Sequence, residues 1–214
     1  MNKNMNNFYN RLSRILASRE AVKDGVEGSY FSAAVLVPIV EKDGEPAVLF
    51  EVRSSRLHWQ PGEICFPGGK VEPGDSSRAA AAVRETSEEL GVAAGHIKLA
   101  GGLPEMISPI GVALAPFVGW IEGGTEMRLN SAEVVEIFTV PLTFLLTASP
   151  KTAAMELATK PVAGFPYALL PAYPNTWRHR RIYEVLFYQY EQYVIWGLTA
   201  RVLSGFLKIC RQEN

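Results

Sequence analysis

The sequence is poor in cysteine: its 214 residues include two, Cys65 and Cys210. That is too few for a disulfide framework and points to a reducing compartment. Neither sign of charge is in excess, with 21 Lys and Arg against 22 Asp and Glu. General binding of nucleic acid is therefore not expected, because it needs a basic surplus to displace counterions. A local anionic ligand is still allowed. Long hydrophobic runs are missing as well. The charge-free segments 106–121, 137–150 and 161–177 all contain proline, and none sustains the roughly 18 apolar residues of a membrane span. Residues 1–20 lack the apolar centre and small-residue cleavage site of a secretory signal. The last four residues match no organelle-targeting tail. These absences lead us to expect a cytoplasmic protein with no membrane association. Internal repeats and low-complexity linkers are also absent.

What is present suits a globular chain: 48% hydrophobic and 20% charged residues can build a sizeable core. Phe8, Leu12, Ile15 and Leu16 fall at helical spacing, so residues 1–30 read as a helical extension. Residues 31–40, rich in Val and Ala, predict a buried strand. A turn at 42–45 returns the chain through a second strand over 46–53. Residues 54–76 are a long loop crowded with glycine and proline, and a loop of that length in a small domain is usually functional. A helix follows, with Ser76 or Ser77 as its cap and Gly91 as its stop. Strands are expected over 97–103, 113–121, 137–140 and 181–189, with a short helix at 142–147 and irregular chain around Pro161, Pro166, Pro171 and Pro174. A closing helix is expected over 193–209, with Ile195, Leu198, Val202, Phe206 and Ile209 on one stripe. The order predicts one α+β domain over 31–210, an α/β/α sandwich with a mixed β-sheet.

The helix before Gly91 carries the informative pattern. Glu85, Glu88 and Glu89 lie within about 100° of one another, while Ala79, Val83, Thr86 and Leu90 form the opposite side, able to pack on a sheet. Carboxylates at these spacings repel, and they stand in the last turn, where the helix dipole disfavours negative charge. A solvated acidic face is the plain alternative. The glycine pair Gly68-Gly69 just upstream argues for a divalent cation instead. Mg²⁺ takes oxygen ligands and bridges carboxylates to phosphates, and glycine lets a main-chain carbonyl approach the same point.

The run from Gly69 through Asp75 to Arg84-Glu85-Thr86-Ser87-Glu88-Glu89-Leu90-Gly91-Val92 resembles the Nudix box. Asp75 stands for its first Glu, eight residues rather than seven precede Arg84, and Thr86 occupies an aliphatic position. The Asp and the extra residue are similar to the coenzyme A pyrophosphatase branch of that family. So are Arg53-Ser54, Gly62 and Phe66-Pro67-Gly68-Gly69, which match its upstream pattern. His58 stands where that pattern has Arg, and Leu49-Phe50-Glu51 replaces its Leu-Leu-Thr. Residues 193–200 also look like this branch.

The resemblance implies a Mg²⁺- or Mn²⁺-dependent hydrolase of the diphosphate linkage in coenzyme A or acyl-coenzyme A, with ADP-ribose, NADH or another nucleoside diphosphate derivative as the other substrate class. A non-catalytic ligand sensor on the same fold is the reading from another class. The resemblance places the metal on Glu85, Glu88, Glu89 and the Gly69 carbonyl. It leaves the base open among Glu85, Glu133 and Glu136, since a base is recognised first by its reach to water. Arg84 reads as an orienter of carboxylates, because a guanidinium fork suits paired carboxyl groups. Arg53, Arg56 and Lys70 are the candidates for substrate phosphate. Arg178, Arg180 and Arg181 either hold a further phosphate or form a solvated turn, with Tyr167, Tyr173 and Trp177 nearby for stacking on a base. His58 and His96 read as loop residues, and Cys65 as packing. The aromatic residues near the C-terminus permit a homodimer without demanding one.

Overall fold

The structure, a computed structural model, describes residues 31–109 and 111–212. The helical extension expected over 1–30 lies outside the described residues. Strand β1 (Phe31–Lys42) turns through Asp43 and Gly44, at φ 53° and 82°, into β2 (Glu45–Arg53). Two left-handed residues in an Asp-Gly pair are what a two-residue hairpin requires. The glycine- and proline-rich stretch beyond is not wholly irregular. It contains β3 (Ile64–Cys65), paired to β2, and β4 (Gly68–Lys70), paired to β1. These short strands form because a tertiary partner edge is available, which local composition does not reveal.

Helix α1 (Arg78–Leu90) begins at Ser77, whose extended backbone lets its Oγ accept the Ala80 N–H at 3.1 Å. It ends at Gly91, left-handed at φ 64°. The chain continues through β5 (Ile97–Gly102), β6 (Met106–Ile107), β7 (Val112–Ile121), β8 (Val134–Pro141) and α2 (Leu142–Thr147). The first sheet has eight strands, ordered β3-β2-β1-β7-β5, with β4 added on β1, β6 on β7 and β8 on β2.

A second sheet follows from β9 (Lys151–Thr159), β10 (Arg178–Tyr190) and β11 (Tyr193–Trp196), ordered β11-β10-β9. Sequence pattern does not announce β9, because nearly all of it is exposed and its side chains do not alternate in polarity. It exists through its register on β10. Its outer edge carries no further strand among the described residues, so β9 and the first half of β10 form an exposed ribbon. The closing helix α3 is Gly197–Gln212 rather than a helix from 193. Tyr193-Val-Ile-Trp196 has the aromatic and β-branched character of a strand and pairs with β10. Gly197, at φ 64°, makes the turn into the helix. Ile195 is buried as a strand residue, and Ile209 is exposed, Leu203 and Leu207 being buried in its place.

Alternation along the strands assigns each face of the first sheet. Val37 and Ile39 of β1 and Val48 and Phe50 of β2 pack with Val202, Leu203, Phe206 and Leu207 of α3. Leu36 and Val40 of β1 and Ala47 and Leu49 of β2 pack with Leu90 at the end of α1, and Ala34 packs with Ala81 and Ala82. Successive residues therefore serve opposite helices, giving the expected α+β sandwich. Glu51 continues the inward series of Ala47 and Leu49 toward the α1 side.

Candidate metal and catalytic site

The helix does not present its three glutamates equally. The buried side of α1 comprises Ala81, Ala82, Thr86, Glu89 and Leu90, so Glu89 belongs to the packed face and not to an acidic surface opposite it. Its Oε2 accepts the Gly68 N–H at 2.8 Å. Glu85 is half-buried over Gly69: a Cβ on that residue would lie 2.5 Å from the Glu85 carboxyl carbon. The glycine pair thus lets the β4 backbone run directly against two carboxylates of α1. Glu88 is exposed, one turn from Arg84.

Arg84 ties this surface together. Its guanidinium donates to both Asp75 oxygens at 2.9 and 3.1 Å, to Glu88 at 3.0 Å and to the Lys70 carbonyl at 3.1 Å. It also lies 3.0 Å from Glu85. The arginine orients carboxylates, as its fork geometry favours. Through its hydrogen bonds it holds the Asp75 carboxyl below the usual range. Asp75 and the extra residue before Arg84 therefore still close the loop onto the helix.

Behind the glycines stands Glu51 of β2, with no solvent exposure. Its Oε1 accepts the Cys65 thiol at 3.1 Å, and its Oε2 has no hydrogen-bond partner among the described residues. Burial pushes the Glu51 carboxyl up, with Glu133 and Glu85 adding repulsion and Cys65 and Arg53 opposing it. Burial likewise raises Glu89, and the charges of Glu51 and Glu85 raise it further. Glu85 is raised by burial against the pull of Arg84. The Cys65 thiol is pushed well up by burial and then by Glu51.

The loop candidates separate. Glu133 is half-buried and within electrostatic reach of Glu51 and Glu85. Its carbonyl accepts the Ser54 N–H at 2.7 Å, which joins its turn to the end of β2. Glu136 shares the α3 face of β8 with Phe138 and Val140, and it accepts the hydroxyl of Tyr193, whose ring stacks on Phe138. It is not brought to the α1 carboxylates. Arg53 is in electrostatic reach of Glu51 and Glu89 and donates to the Trp59 carbonyl. Arg56 donates to the Ser131 carbonyl at 2.6 Å, bridging the loops on either side of the site. Lys70 is exposed on β4.

Arg178, Arg180 and Arg181 lie on the ribbon. Arg178 stacks over the Tyr173 ring at 5.1 Å, and Arg180 donates to Thr159 at 2.7 Å and to the Tyr173 hydroxyl at 3.2 Å. Phe187, where pairing with β11 begins, stands six positions beyond Arg181 on β10, roughly 20 Å of strand. No described contact joins this cluster to the carboxylates.

Among the described residues, several buried or half-buried carboxylates, one with an unpartnered oxygen, meet little compensating positive charge beyond Arg53 and Arg84. Such a set of hard oxygen donors fits Mg²⁺ or Mn²⁺. Among the described residues no three acidic, His or Cys side chains already surround one point closely enough to enclose an ion. Glu85 and Glu88 pair with Arg84, and Glu89 accepts from the Gly68 N–H. The residues that would hold the ion are Glu85, Glu88, Glu89 and Gly69. A bound divalent cation supplies charge to phosphoryl oxygens and lowers the pKa of water.

The sequence model of the NUDIX domain matches residues 30–157. The chain belongs to the Nudix family. One relative is NudL of Photorhabdus laumondii, an uncharacterized Nudix hydrolase, 35% identical over 171 residues and covering 80% of each chain. Another is the mouse peroxisomal coenzyme A diphosphatase NUDT7, 36% identical over 113 residues, which are 53% of this chain and 48% of that protein. Among solved structures, a MutT/nudix family protein from Enterococcus faecalis superposes with a TM-score of 0.51 at 14% identity, covering 99% of this chain and 75% of that one. At that identity the likeness establishes the Nudix fold alone. The chain is a Nudix hydrolase, and no helix among its described residues is long and apolar enough to cross a membrane.

Within this Nudix site, sequence reasoning missed Glu51 and the hydrogen bond of Tyr193 to Glu136. The signal for Glu51 was available, since it is an acidic residue at an inward-facing position of a strand otherwise filled by Ala47 and Leu49. The signal for Tyr193 was hidden by assigning its segment to the helix.

Proposed function

We propose that this Nudix hydrolase uses Mg²⁺ or Mn²⁺ to split the diphosphate linkage of coenzyme A or acyl-coenzyme A. Water adds to one phosphorus and the anhydride P–O bond breaks. The products are adenosine 3′,5′-bisphosphate and phosphopantetheine or its acyl form. The observation that carries the chemistry is the Gly68-Gly69 backbone seated against Glu85 and Glu89. The substrate class is supported by the relationship to a coenzyme A diphosphatase over 113 residues, together with Arg53, Gly62 and the Phe66–Gly69 run at the spacing of that branch.

In this reading Glu85, Glu88, Glu89 and the Gly69 carbonyl hold the cation, and Glu133 is favoured over Glu136 as the base because its charge is felt at Glu51 and Glu85, whereas Glu136 accepts from Tyr193. Glu85 is the other candidate. Arg53, Arg56 and Lys70 border the cluster and serve the diphosphate. Arg178, Arg180 and Arg181, beside Tyr173 and Trp177, serve the 3′-phosphate and adenine end. The cytoplasm is the proposed location, resting on the low cysteine content.

The local partners of the arginine ribbon, Tyr173 and Thr159 rather than any site carboxylate, favour a second reading, in which ADP-ribose or NADH is the substrate and the ribbon takes no part. A substrate panel decides between them: kcat/KM for coenzyme A, acetyl-coenzyme A, ADP-ribose, NADH and dNTPs, with products identified by mass. Preference for the coenzyme A compounds, with a larger loss on them than on ADP-ribose when Arg178, Arg180 and Arg181 are replaced by Ala, is the expected result. Preference for ADP-ribose or NADH would refute the substrate and keep the metal chemistry. No turnover of any compound would leave a ligand sensor.

A further inference from the structure

We propose that Glu51 is an additional ligand of the bound divalent cation, a fourth carboxylate supplied by strand β2 rather than by α1. The inference rests on the metal-dependent reading above. Three observations carry it. Alternation along β2 sends Glu51 to the α1 side after Ala47 and Leu49, which pack with Leu90 of α1. Its electrostatic neighbours include Glu85, Glu89 and Glu133, which places it among the site carboxylates rather than in an unrelated part of the core. It is fully buried, yet its Oε2 has no hydrogen-bond partner among the described residues.

That last point is decisive because neither protonation state is satisfied by the described residues alone. An ionised carboxylate needs a donor or cation at Oε2, and a protonated one needs an acceptor for its O–H. The described residues offer neither, and the one hydrogen bond among them to its side chain comes from the Cys65 thiol, a weak donor, to Oε1. A structural glutamate held neutral would be expected to find an acceptor among so many carbonyls. A lone water would satisfy Oε2 but leave the repulsion from three neighbouring carboxylates unanswered. A divalent cation answers both. A carboxylate oxygen is also the donor that Mg²⁺ and Mn²⁺ prefer.

The test is Mn²⁺ binding to the full-length protein without substrate, read from the electron paramagnetic resonance of free Mn²⁺ and from the Mn²⁺-induced rise in Tm. Glu51→Gln keeps the shape and removes the charge. It is expected to weaken Mn²⁺ about tenfold or more, with the Tm of the EDTA-treated protein equal to or above wild type. Wild-type Mn²⁺ affinity in this variant would overturn the proposal. Should Glu51→Gln fail to fold, Glu51→Asp, which withdraws the carboxylate by one methylene, is held to the same standard. Glu89→Gln separates the two failures. If it weakens Mn²⁺ and Glu51→Gln does not, only the role of Glu51 falls. If wild type binds no Mn²⁺, the metal-dependent reading falls and this proposal with it.

Discussion

Adding one methyl group to either of two adjacent glycines should damage this protein in opposite ways. At Gly69 the new Cβ would lie 2.5–2.7 Å from the three carboxyl atoms of Glu85, the far end of a flexible side chain. That carboxylate must retreat by about 0.9 Å to reach ordinary contact at 3.4 Å. The retreat is easy for the fold but moves a proposed metal ligand. A misplacement of that size costs about 100-fold in rate, while Tm should fall by no more than roughly 2–4 °C. At Gly68 the Cβ would meet the Ala34 carbonyl oxygen at 2.4 Å and the Val35 Cα at 2.6 Å, on a backbone already at φ 152°. Those are main-chain atoms of the central strand β1 and cannot give way. Strain and overpacking together cost on the order of 3 kcal/mol, or roughly 6–12 °C in Tm for a domain of this size. The assay is kcat/KM on the preferred substrate at saturating Mn²⁺, alongside Tm by scanning fluorimetry. Gly69→Ala with wild-type turnover, or with a larger loss of Tm than Gly68→Ala, would refute the placement of Glu85 over Gly69.

Two further outcomes follow from the same geometry. Arg84→Lys replaces a fork that reaches Asp75, Glu85, Glu88 and the Lys70 carbonyl with a point charge that cannot span them. It should raise the half-saturating Mn²⁺ concentration roughly 10–100-fold, and unchanged metal dependence would show that Arg84 does not position the carboxylates. Cys65 should resist iodoacetamide at pH 8, because burial and then Glu51 hold its thiol protonated above the ordinary range. Peptide mapping of the native and urea-unfolded protein should show slow labelling in the first and fast in the second. Native labelling should quicken in Glu51→Gln; equal native rates in the two proteins would deny the Cys65–Glu51 contact.

The fold was legible wherever local rules and tertiary demand agreed. Asp43-Gly44, Ser77 and Gly91 each named a turn or helix boundary that the structure keeps, because their backbone conformations are chemically dictated. Reading stopped where a partner decides the outcome. Strands β3, β4 and β9 exist through pairing and carry no periodic signal of their own. Residues 193–196 are apolar at a spacing that serves a helix or a strand, and pairing with β10 decided for the strand. The candidate site divided in the same way. The glycine pair and the three helical glutamates were visible as a pattern, but helical angles alone put Glu89 on an open acidic face. Its burial follows from the sheet beneath α1, and that sheet also brings Glu51 to the same place from 38 residues upstream.

The ribbon of β9 and β10 has a consequence apart from any substrate. A strand with an open edge offers unpaired N–H and C=O groups to any second chain, and exposed Met155, Trp177 and Ile182 add adhesive surface to it. Long charged side chains hinder such stacking, and this ribbon carries Lys151, Arg178, Arg180 and Arg181. Charge at Lys151, Arg178, Arg180 and Arg181 is therefore expected to oppose edge-to-edge pairing between copies of the chain. Replacing them with neutral residues is expected to leave an open strand edge as a template for self-association.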